Sequence, residues 1–439
     1  MSERLVIAGG TVVDPVAGTA AVADVLVEDG RIVAVSGAGE ESAEGATAID
    51  ARGLLVLPGL VDMHVHLREP GYEYKETVAT GVAAAVAGGF TSLACMANTK
   101  PVNDSAAVTQ YIRDRAKVAN AAHVYPIGAL SVGLAGERMA EIGEMHRAGI
   151  VAVSDDGNPV MDAGLMRRAL EYTKLFDLPV IVHEEDRHLA DGGCMNEGVT
   201  SLRLGLRGIP AAAEEVMIAR DVALTELTGG RLHVAHVSTL GAVALIRDAK
   251  ARGLRVTAEV TPHHLFLTED AVCGYGTNAK MAPPLRMPAD IAALRAGLAD
   301  GTIDAIATDH APHHDDEKAV EFEHAANGVV GLETALPLVL RLVTEGACDL
   351  PTLVARLTIG PARILGLPAG TLAPGAAADL TLVDRERKWR VEARKFRSKS
   401  RNTPFEGWEM TGRAVATFVG GRLVYDDRPA AAPALRSAS

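Results

Sequence analysis

Residues 61–71 read VDMHVHLREPG and end an apolar run with His64 and His66, followed closely by Arg68. Side chains alternate along a β-strand, so the two imidazoles share one face, about 6 to 7 Å apart, and can reach a single ion. The same alternation predicts Arg68 on that face, where its planar guanidinium could hold a carboxylate by two hydrogen bonds. A salt bridge at the rim is the alternative for Arg68. An HxH pair alone is weak evidence for a metal, so the hypothesis depends on further ligands.

Further side chains of ligand type stand at the ends of other apolar runs. They include the Asp155–Asp156 pair and His183, and each could instead be a buried histidine or a helix-capping aspartate. Taken together, nitrogen and oxygen donors from several runs favour one or two divalent ions, and zinc accepts this mixture. The predicted ligands are His64, His66, one aspartate of the Asp155–Asp156 pair, His183, His236 and Asp309.

The elements that must position these donors are eight apolar runs, which alternate with Ala-rich and Leu-rich stretches of helical period. The runs are LLVLPGLVDMHVH, GFTSLACMANT, HVYPIGALSV, IVAVSDDG, PVIVHEED, LHVAHVST, RVTAEVTPHH and IDAIATDHAPH. Eight strand-and-helix units predict an α/β fold, a TIM-like (β/α)8 barrel, whose chemistry lies at the C-terminal ends of the strands. A doubly wound open sheet is the alternative, but no GxGxxG follows the first strand.

Both ends of the chain instead alternate short β-branched runs with turn signals, including Asp29-Gly30 and Gly420-Gly421 at expected hairpins. Neither end has enough strands to bury a face alone, so we expect one small β-sandwich built from both. The predicted organisation is residues 1–58 and 366–428 in the β-sandwich, 59–365 in the barrel, and 429–439 as a flexible tail.

Composition narrows the function classes. The chain has 439 residues, 48% hydrophobic and 23% charged, with a formal net charge of -13. Because no basic run offsets that charge, we expect neither a nucleic-acid partner nor an anionic membrane surface. The N-terminus lacks a signal-peptide pattern and no apolar stretch approaches a membrane span, which predicts a cytoplasmic protein. Widely spaced cysteines without CxxC predict reduced, mostly buried thiols.

Beyond these patterns, the chain resembles the class I dihydroorotases of the cyclic amidohydrolase superfamily. The resemblance covers essentially the whole chain and lies in the motifs DMHVHLREPG, SDDG, VIVHEED, HVAHVS, KMAPPLR, DHAPH and GLETA. It implies hydrolase activity and two zinc ions per subunit. It also implies that Asp156 bridges the ions, with His64, His66 and Asp309 on one side and His183 and His236 on the other. Related hydantoinases usually bridge with a carboxylated lysine, whereas SDDG offers only aspartates; the choice of Asp156 over Asp155 rests on spacing.

The resemblance implies reversible cyclisation of N-carbamoyl-L-aspartate to L-dihydroorotate plus water, a step of pyrimidine biosynthesis. A metal-bridging hydroxide would act with Asp309 as the catalytic acid and base. The implied substrate-binding residues are His66, Arg68, Asn98 and His313. A turn role for Asn98 and a loop role for His313 are the structural alternatives. The resemblance also points to a homo-oligomer, a dimer, and leaves a complex with aspartate transcarbamoylase open.

Two departures from the family pattern fall near the expected substrate. Ala282 stands where the family commonly has asparagine, and Asn327 where it commonly has phenylalanine. The polar stretch 313–328 could be a lid or a solvated surface loop. Other cyclic amidases, allantoinase or hydantoinase, are the alternative function, and Arg68 discriminates against them. A non-catalytic scaffold for aspartate transcarbamoylase is a further alternative, but it should have lost metal ligands.

Overall fold

The computed structural model describes residues 4–40 and 45–428, and a barrel of eight parallel strands forms its centre. Neighbouring strands pair in chain order, and bridges from Gly128 to Val153 and from Val65 to His310 close the circle. The barrel strands are Leu60–Val65, Phe90–Cys95, His123–Pro126, Val153–Ser154, Val180–Val182, Leu232–Val234, Val256–Val260 and Ala305–Ile306. Each lies within one of the eight predicted runs, so the (β/α)8 prediction is confirmed.

The first run changes partners at Gly59. Leu55–Pro58 pairs in a separate sheet, whereas Leu60–Val65 enters the barrel, where every residue of the strand is buried. A Cβ at Gly59 would overlap the Thr91 side chain, so glycine allows this close approach between two sheets. Strands that are buried on both faces read as continuous apolar runs, which explains why one run covers two strands.

Helices surround the barrel and bury its outer face. Met63, Ala94 and Ile181 come from three strands and pack in one buried cluster, so the barrel interior is filled by apolar side chains. The helices are Val78–Ala87, Ala106–Ala119, Ile142–Ala148, Ala163–Thr173, Arg187–Ala190, Val199–Leu204, Ala212–Thr228, Leu240–Ala251, Pro262–Phe266, Pro288–Asp300, Asp315–Lys318, Ala335–Thr344, Leu350–Leu357 and Ile359–Leu365. A two-stranded ribbon joins Met195–Asn196 to Gly208–Ile209.

The two ends of the chain meet in one mixed eight-stranded sheet. Its strands are Arg4–Asp14, Thr19–Glu28, Arg31–Gly37, Thr47–Asp50, Leu55–Pro58, Leu380–Arg390, Glu409–Val419 and Arg422–Asp426. Leu55–Pro58 pairs with Leu380–Arg390 and so joins the N-terminal strands to the C-terminal ones. A buried core with residues from both ends, including Ile7, Val25 and Phe418, holds the sheet together.

Both predicted hairpins are present. Asp29 and Gly30 have φ of 48° and 76°, and Gly420 and Gly421 have φ of 54° and 75°, as a two-residue hairpin turn of this hand requires. We propose domain boundaries at residues 58/59 and 365/366, because Gly59 separates the two sheets and a helix ends at Leu365. The predicted tail 429–439 lies outside the described residues.

No helix among residues 4–40 and 45–428 is long and apolar enough to cross a membrane. The cysteines are free thiols, as predicted. Cys95 and Cys194 are buried, but Cys348 is half-buried and Cys273 is exposed, so burial is less general than predicted.

Candidate metal centre

The first barrel strand delivers His64 and His66 to the mouth of the barrel. Their ring centroids lie 5.4 Å apart, and His64 is fully buried. The Nε2 atoms of His64 and His66 each lie 3.4 Å from an oxygen of Asp156, which follows the fourth strand. His64, His66 and Asp156 therefore form one potential three-ligand group, called the first triad below.

Asp156 also faces the opposite side of the mouth. Its Oδ1 lies 3.6 Å from His183 Nδ1 and 3.5 Å from His236 Nε2. His183 follows the fifth strand and His236 follows the sixth. His183 Nδ1 lies 3.0 Å from His236 Nε2. Asp156, His183 and His236 form the second triad, so one aspartate belongs to both groups.

Asp309 follows the eighth strand and adjoins the first triad. Its Oδ1 lies 3.0 Å from His66 Nε2 and 3.5 Å from His64 Nε2. Asp309 and His236 both have positive φ, 47° and 33°, which non-glycine residues rarely adopt and which is common at functional sites. All six predicted ligands therefore converge at the strand ends of one barrel.

The donor set fits a divalent cation. His64 Nε2 and Asp156 Oδ1 are buried without a hydrogen-bond partner among the described residues, although buried polar atoms are normally satisfied. Burial opposes charge on His64, but the charges of Asp156, Glu259 and Asp309 outweigh it and raise its pKa well above the usual range. Carboxylates that hold a proton on a buried imidazole would also attract a metal ion, and a mixed set of imidazole and carboxylate donors suits zinc.

Asp155 turns away from the cluster. Its Oδ1 accepts hydrogen bonds from the backbone N–H groups of Leu130 and Ser131, each at 2.9 Å, and its Oδ2 accepts one from the Ser131 hydroxyl. Asp155 thus fixes the loop after the third strand, while the adjacent Asp156 faces the histidines.

The strand-alternation argument for Arg68 is wrong, because the strand ends at Val65 and Arg68 has a left-handed φ of 62°. The turn nevertheless brings the side chain to the cavity. Nε donates to the Pro312 carbonyl at 3.1 Å, and Nη2 lies 3.4 Å from His313 Nε2. The rim salt bridge is not found: Arg68 is buried, and its hydrogen-bond contacts in the described chain include no carboxylate.

A cavity of about 280 Å³ opens in front of the metal residues. Arg68, Asn98 and His313 line it together with five of the predicted ligands, and so do the two departures from the family pattern, Ala282 and Asn327. The predicted ligand His64 lies behind this wall, fully buried.

Asn98 and His313 each have protein partners. Asn98 Oδ1 accepts from His66 Nδ1 at 2.8 Å, which leaves the Nε2 lone pair of that imidazole directed toward Asp156 and Asp309. His313 Nε2 donates to the Asn327 carbonyl at 2.8 Å. Burial, together with the nearby charge of Arg68, lowers the pKa of His313 to about 3, while its Nδ1 lies 3.2 Å from Glu317 Oε2.

The stretch 313–328 is packed against the barrel. Lys318 is buried within it and donates from Nζ to the carbonyls of Lys280 at 3.3 Å and Ala326 at 2.6 Å. His313, Asn327 and Gly328 from the two ends of the stretch line the cavity. Its two ends therefore border the site, but nine of its sixteen residues are exposed, so the choice between a lid and a solvated surface loop stays a prediction.

Glu259 was not among the site residues predicted from the sequence. This fully buried carboxylate contacts His64 Nδ1 at 2.6 Å through Oε1 and His233 Nε2 at 3.3 Å through Oε2. His233 in turn contacts Thr257 Oγ1 at 2.9 Å. A carboxylate behind a metal-binding imidazole fixes its tautomer and raises its basicity. The available signal was a charged residue inside the otherwise apolar strand VTAEV.

Two other buried histidines lie near the mouth. His264 contacts Thr261 Oγ1 at 2.8 Å and the Pro283 carbonyl at 3.0 Å, which is a structural role. Burial lowers the pKa of His263 to about 4, and its Nε2 has no partner among the described atoms.

The chain is similar to known families and proteins over most of its length. A family model described as "Dihydro-orotase-like" matches residues 53–241, and one described as "Amidohydrolase family" matches residues 201–425. A dihydroorotase of Anaeromyxobacter sp. (strain K) is 59% identical over 97% of this chain and 99% of its own. A dihydroorotase of Syntrophotalea carbinolica is 57% identical over 96% of this chain and 99% of its own.

The chain belongs to the dihydroorotase family. Among solved structures, the L-hydantoinase (dihydropyrimidinase) of Arthrobacter aurescens matches with a TM-score of 0.87 and 28% identity, over 97% of both chains. A dihydropyrimidinase of Brevibacillus agri matches with a TM-score of 0.83 and 24% identity, over 97% of this chain and 95% of its own, and shows the shared fold. This chain and the two solved structures therefore share one barrel architecture.

Proposed function

We propose that this chain is a dihydroorotase that interconverts N-carbamoyl-L-aspartate and L-dihydroorotate plus water in pyrimidine biosynthesis. One observation carries the choice of substrate: the Arg68 guanidinium is buried in the wall of the cavity that also exposes Asp156 and Asp309. A planar guanidinium that forms no ion pair with a carboxylate among residues 4–40 and 45–428 suits the ring carboxylate of dihydroorotate.

The metal centre we propose holds two zinc ions, with Asp156 shared between the triads and Asp309 beside the first. Bound divalent ions would supply Lewis-acid chemistry, lowering the pKa of water toward neutrality and polarising the amide carbonyl. The protein supports this by directing imidazole nitrogens and carboxylate oxygens toward one point, and the contact between Asn98 and His66 orients one of these rings.

Asp309 is proposed to move the proton. Its carboxylate lies at the cavity wall next to His66, and burial opposes its ionisation, while the charges of His64 and His66 lower its pKa below the usual range. An ionised carboxylate there can accept a proton from the attacking water and deliver it to the departing amide nitrogen. In the cyclisation direction the same group works in reverse.

Arg68, His313 and Asn98 are proposed to hold the substrate. Arg68 Nε is occupied by the Pro312 carbonyl, which fixes the plane of the guanidinium. The His313 ring contacts the Asn327 carbonyl through Nε2 and Glu317 through Nδ1, so it is held at a fixed orientation beside Arg68. A preorganised pocket of this kind lowers the entropic cost of binding.

The test is a parallel assay of the zinc-loaded protein with dihydroorotate, hydantoin and allantoin. We expect turnover of dihydroorotate with far lower rates on the other two, which lack the carboxylate in that position. Asp309→Asn should remove the activity while the protein stays folded, which excludes a contaminating enzyme. A hydantoinase remains the second candidate, because Ala282 and Asn327 alter the cavity wall. Preferential turnover of hydantoin would establish that candidate instead.

Arg68→Lys is a sharper test of the substrate. The change keeps the positive charge but loses the bidentate geometry, so kcat/KM for dihydroorotate should fall about tenfold or more, equivalent to one charged hydrogen bond. Steady-state kinetics on parent and variant measure this, with the metal content of both determined. Little change would mean that Arg68 does not touch the substrate carboxylate.

We further propose a cytoplasmic homodimer, and a complex with aspartate transcarbamoylase is a separate prediction. Sedimentation of the purified chain, alone and mixed with that enzyme, tests both assemblies. All six proposed ligands are present at the barrel mouth, which argues against a scaffold that has lost its metal site.

A further inference from the structure

The segment 397–403, with the sequence RSKSRNT, comes from the C-terminal part of the chain but lies against the barrel mouth. Its polar residues Ser398, Ser400 and Asn402 are buried. Buried polar side chains require hydrogen-bond partners, so their partners reveal what the segment does.

The segment is anchored to the barrel independently of Asn402. Glu76, which is fully buried, accepts a hydrogen bond from the Ser398 hydroxyl and another from the Lys399 backbone N–H at 3.1 Å. The Ser400 hydroxyl donates to the Lys75 carbonyl at 2.7 Å. These bonds fix the segment to the loop after the first barrel strand.

Both N–H groups and the oxygen of the Asn402 side-chain amide form hydrogen bonds with the loop that borders the cavity. Nδ2 donates to the carbonyls of Ala311 and Gly328, each at 3.0 Å, and Oδ1 accepts from the His313 backbone N–H at 3.1 Å. Ala311 and His313 begin the loop and Gly328 ends it, so one side chain ties its two ends together. The Asn402 carbonyl adds a bond from the Val330 N–H at 2.9 Å.

The residues held in this way support the substrate pocket. Pro312 lies between the two clamped residues Ala311 and His313, and its carbonyl accepts from Arg68 Nε. Asn327, whose carbonyl holds the His313 ring, is adjacent to Gly328. The position of both Arg68 and His313 therefore depends on a frame that Asn402 completes.

We propose that Asn402 is a positioning residue for substrate binding: it clamps the two ends of the 313–328 loop and so fixes Arg68 and His313 at the cavity. The proposal rests on the proposed function for its kinetic part. It predicts that the small terminal domain completes the active site of the barrel, and not only its fold.

The test compares Asn402→Ala and Asn402→Asp with the control Ser400→Ala in the full-length, zinc-loaded protein. Aspartate keeps the shape of asparagine but cannot donate to two carbonyls, so it serves if the alanine variant folds poorly. Ser400→Ala removes a bond of the same segment that touches neither end of the loop. Each protein is assayed with dihydroorotate, analysed for bound zinc, and followed by amide hydrogen exchange.

Both Asn402 variants should raise KM about tenfold and change kcat less, with parental zinc content, because substrate positioning is lost while the metal centre is intact. Amides of residues 313–328 should exchange about tenfold faster, while the barrel strands keep their protection. Ser400→Ala should change neither quantity in this way. Loss of zinc, faster exchange throughout the barrel, or a KM within about twofold of the parent would overturn the proposal.

The two proposals can fail separately. A parent protein that does not turn over dihydroorotate overturns the proposed function, and the exchange comparison then decides the clamp by itself. Unchanged exchange of residues 313–328 in both Asn402 variants overturns the clamp whatever the substrate is.

Discussion

The two triads that share Asp156 differ in what stands behind their imidazoles. In the first triad, Glu259 contacts the second ring nitrogen of His64 at 2.6 Å, and Asn98 contacts that of His66 at 2.8 Å. Both rings are therefore fixed in orientation and tautomer before an ion binds.

The imidazoles of the second triad have fewer hydrogen-bond partners than those of the first. Within the described chain, the hydrogen-bond and ion-pair contacts of His183 and His236 are with each other and with Asp156. We infer that the first site binds its ion more tightly, because preorganised ligands lose less freedom and a carboxylate-backed imidazole is more basic. Asp156 thus belongs to both triads: the first, whose histidines contact Glu259 and Asn98, is called the braced site below, and the second is called the unbraced site.

Asp156→Ala should have the largest effect, because it removes a ligand from both sites at once. We expect loss of most bound zinc and a fall in kcat of about a thousandfold or more, since the metal activates the water. Metal analysis and kinetics on the purified variant measure both. Asp155→Asn is the matched control and should keep the metal, since the Asp155 carboxylate accepts hydrogen bonds from residues 130 and 131 and faces away from the histidines. If Asp155→Asn empties the site instead, the bridge has been misplaced.

His183→Ala should break only the unbraced site. The first triad is intact in this variant, so about half of the parental zinc should stay bound, as expected for one of two ions. The exposed His188→Ala provides a control for the loss of a histidine near the same strand. Unchanged zinc content would remove His183 from the centre, and complete loss would show that the two sites fill only together.

Glu259→Gln should weaken the braced site without removing a ligand. The amide preserves the shape but loses the charge behind His64, which should reduce zinc affinity of the first site about 10- to 100-fold. Competition with a chromophoric chelator measures the two affinities in parent and variant. Thr257→Val, at the far end of the same chain of contacts, should change affinity little. Equal affinities of the two sites in the parent would remove the proposed asymmetry.

Most of the fold was readable from the sequence because it depends on local patterns. Each barrel strand is a short apolar run followed by a helical period, and turn pairs such as Gly420-Gly421 require a particular backbone. The convergence of the proposed ligands could be predicted for the same reason, since they stand at the ends of those runs. What could not be read was conformation outside regular strands, as Arg68 shows: its position depends on a left-handed turn.

Contacts between distant segments were also beyond the sequence patterns. Glu259 and His64 are 195 residues apart, and Asn402 and Ala311 are 91 apart, so nothing local connects them. Their role is decided by the closure of the barrel and by the docking of the terminal segment on its mouth. Only the presence of a buried charge in an apolar strand hinted at Glu259.

We propose that two metal ions share Asp156, and anomalous diffraction from crystals of the zinc-loaded protein can locate both ions. If Asp156 is shared, we expect two zinc peaks about 3.5 to 4 Å apart, with one Asp156 oxygen near each and with Asp155 in contact with neither. At sub-stoichiometric zinc, the peak beside His64 and His66 should fill first. A single peak, or two peaks that Asp156 does not join, would show that Asp156 is not shared by two metal ions.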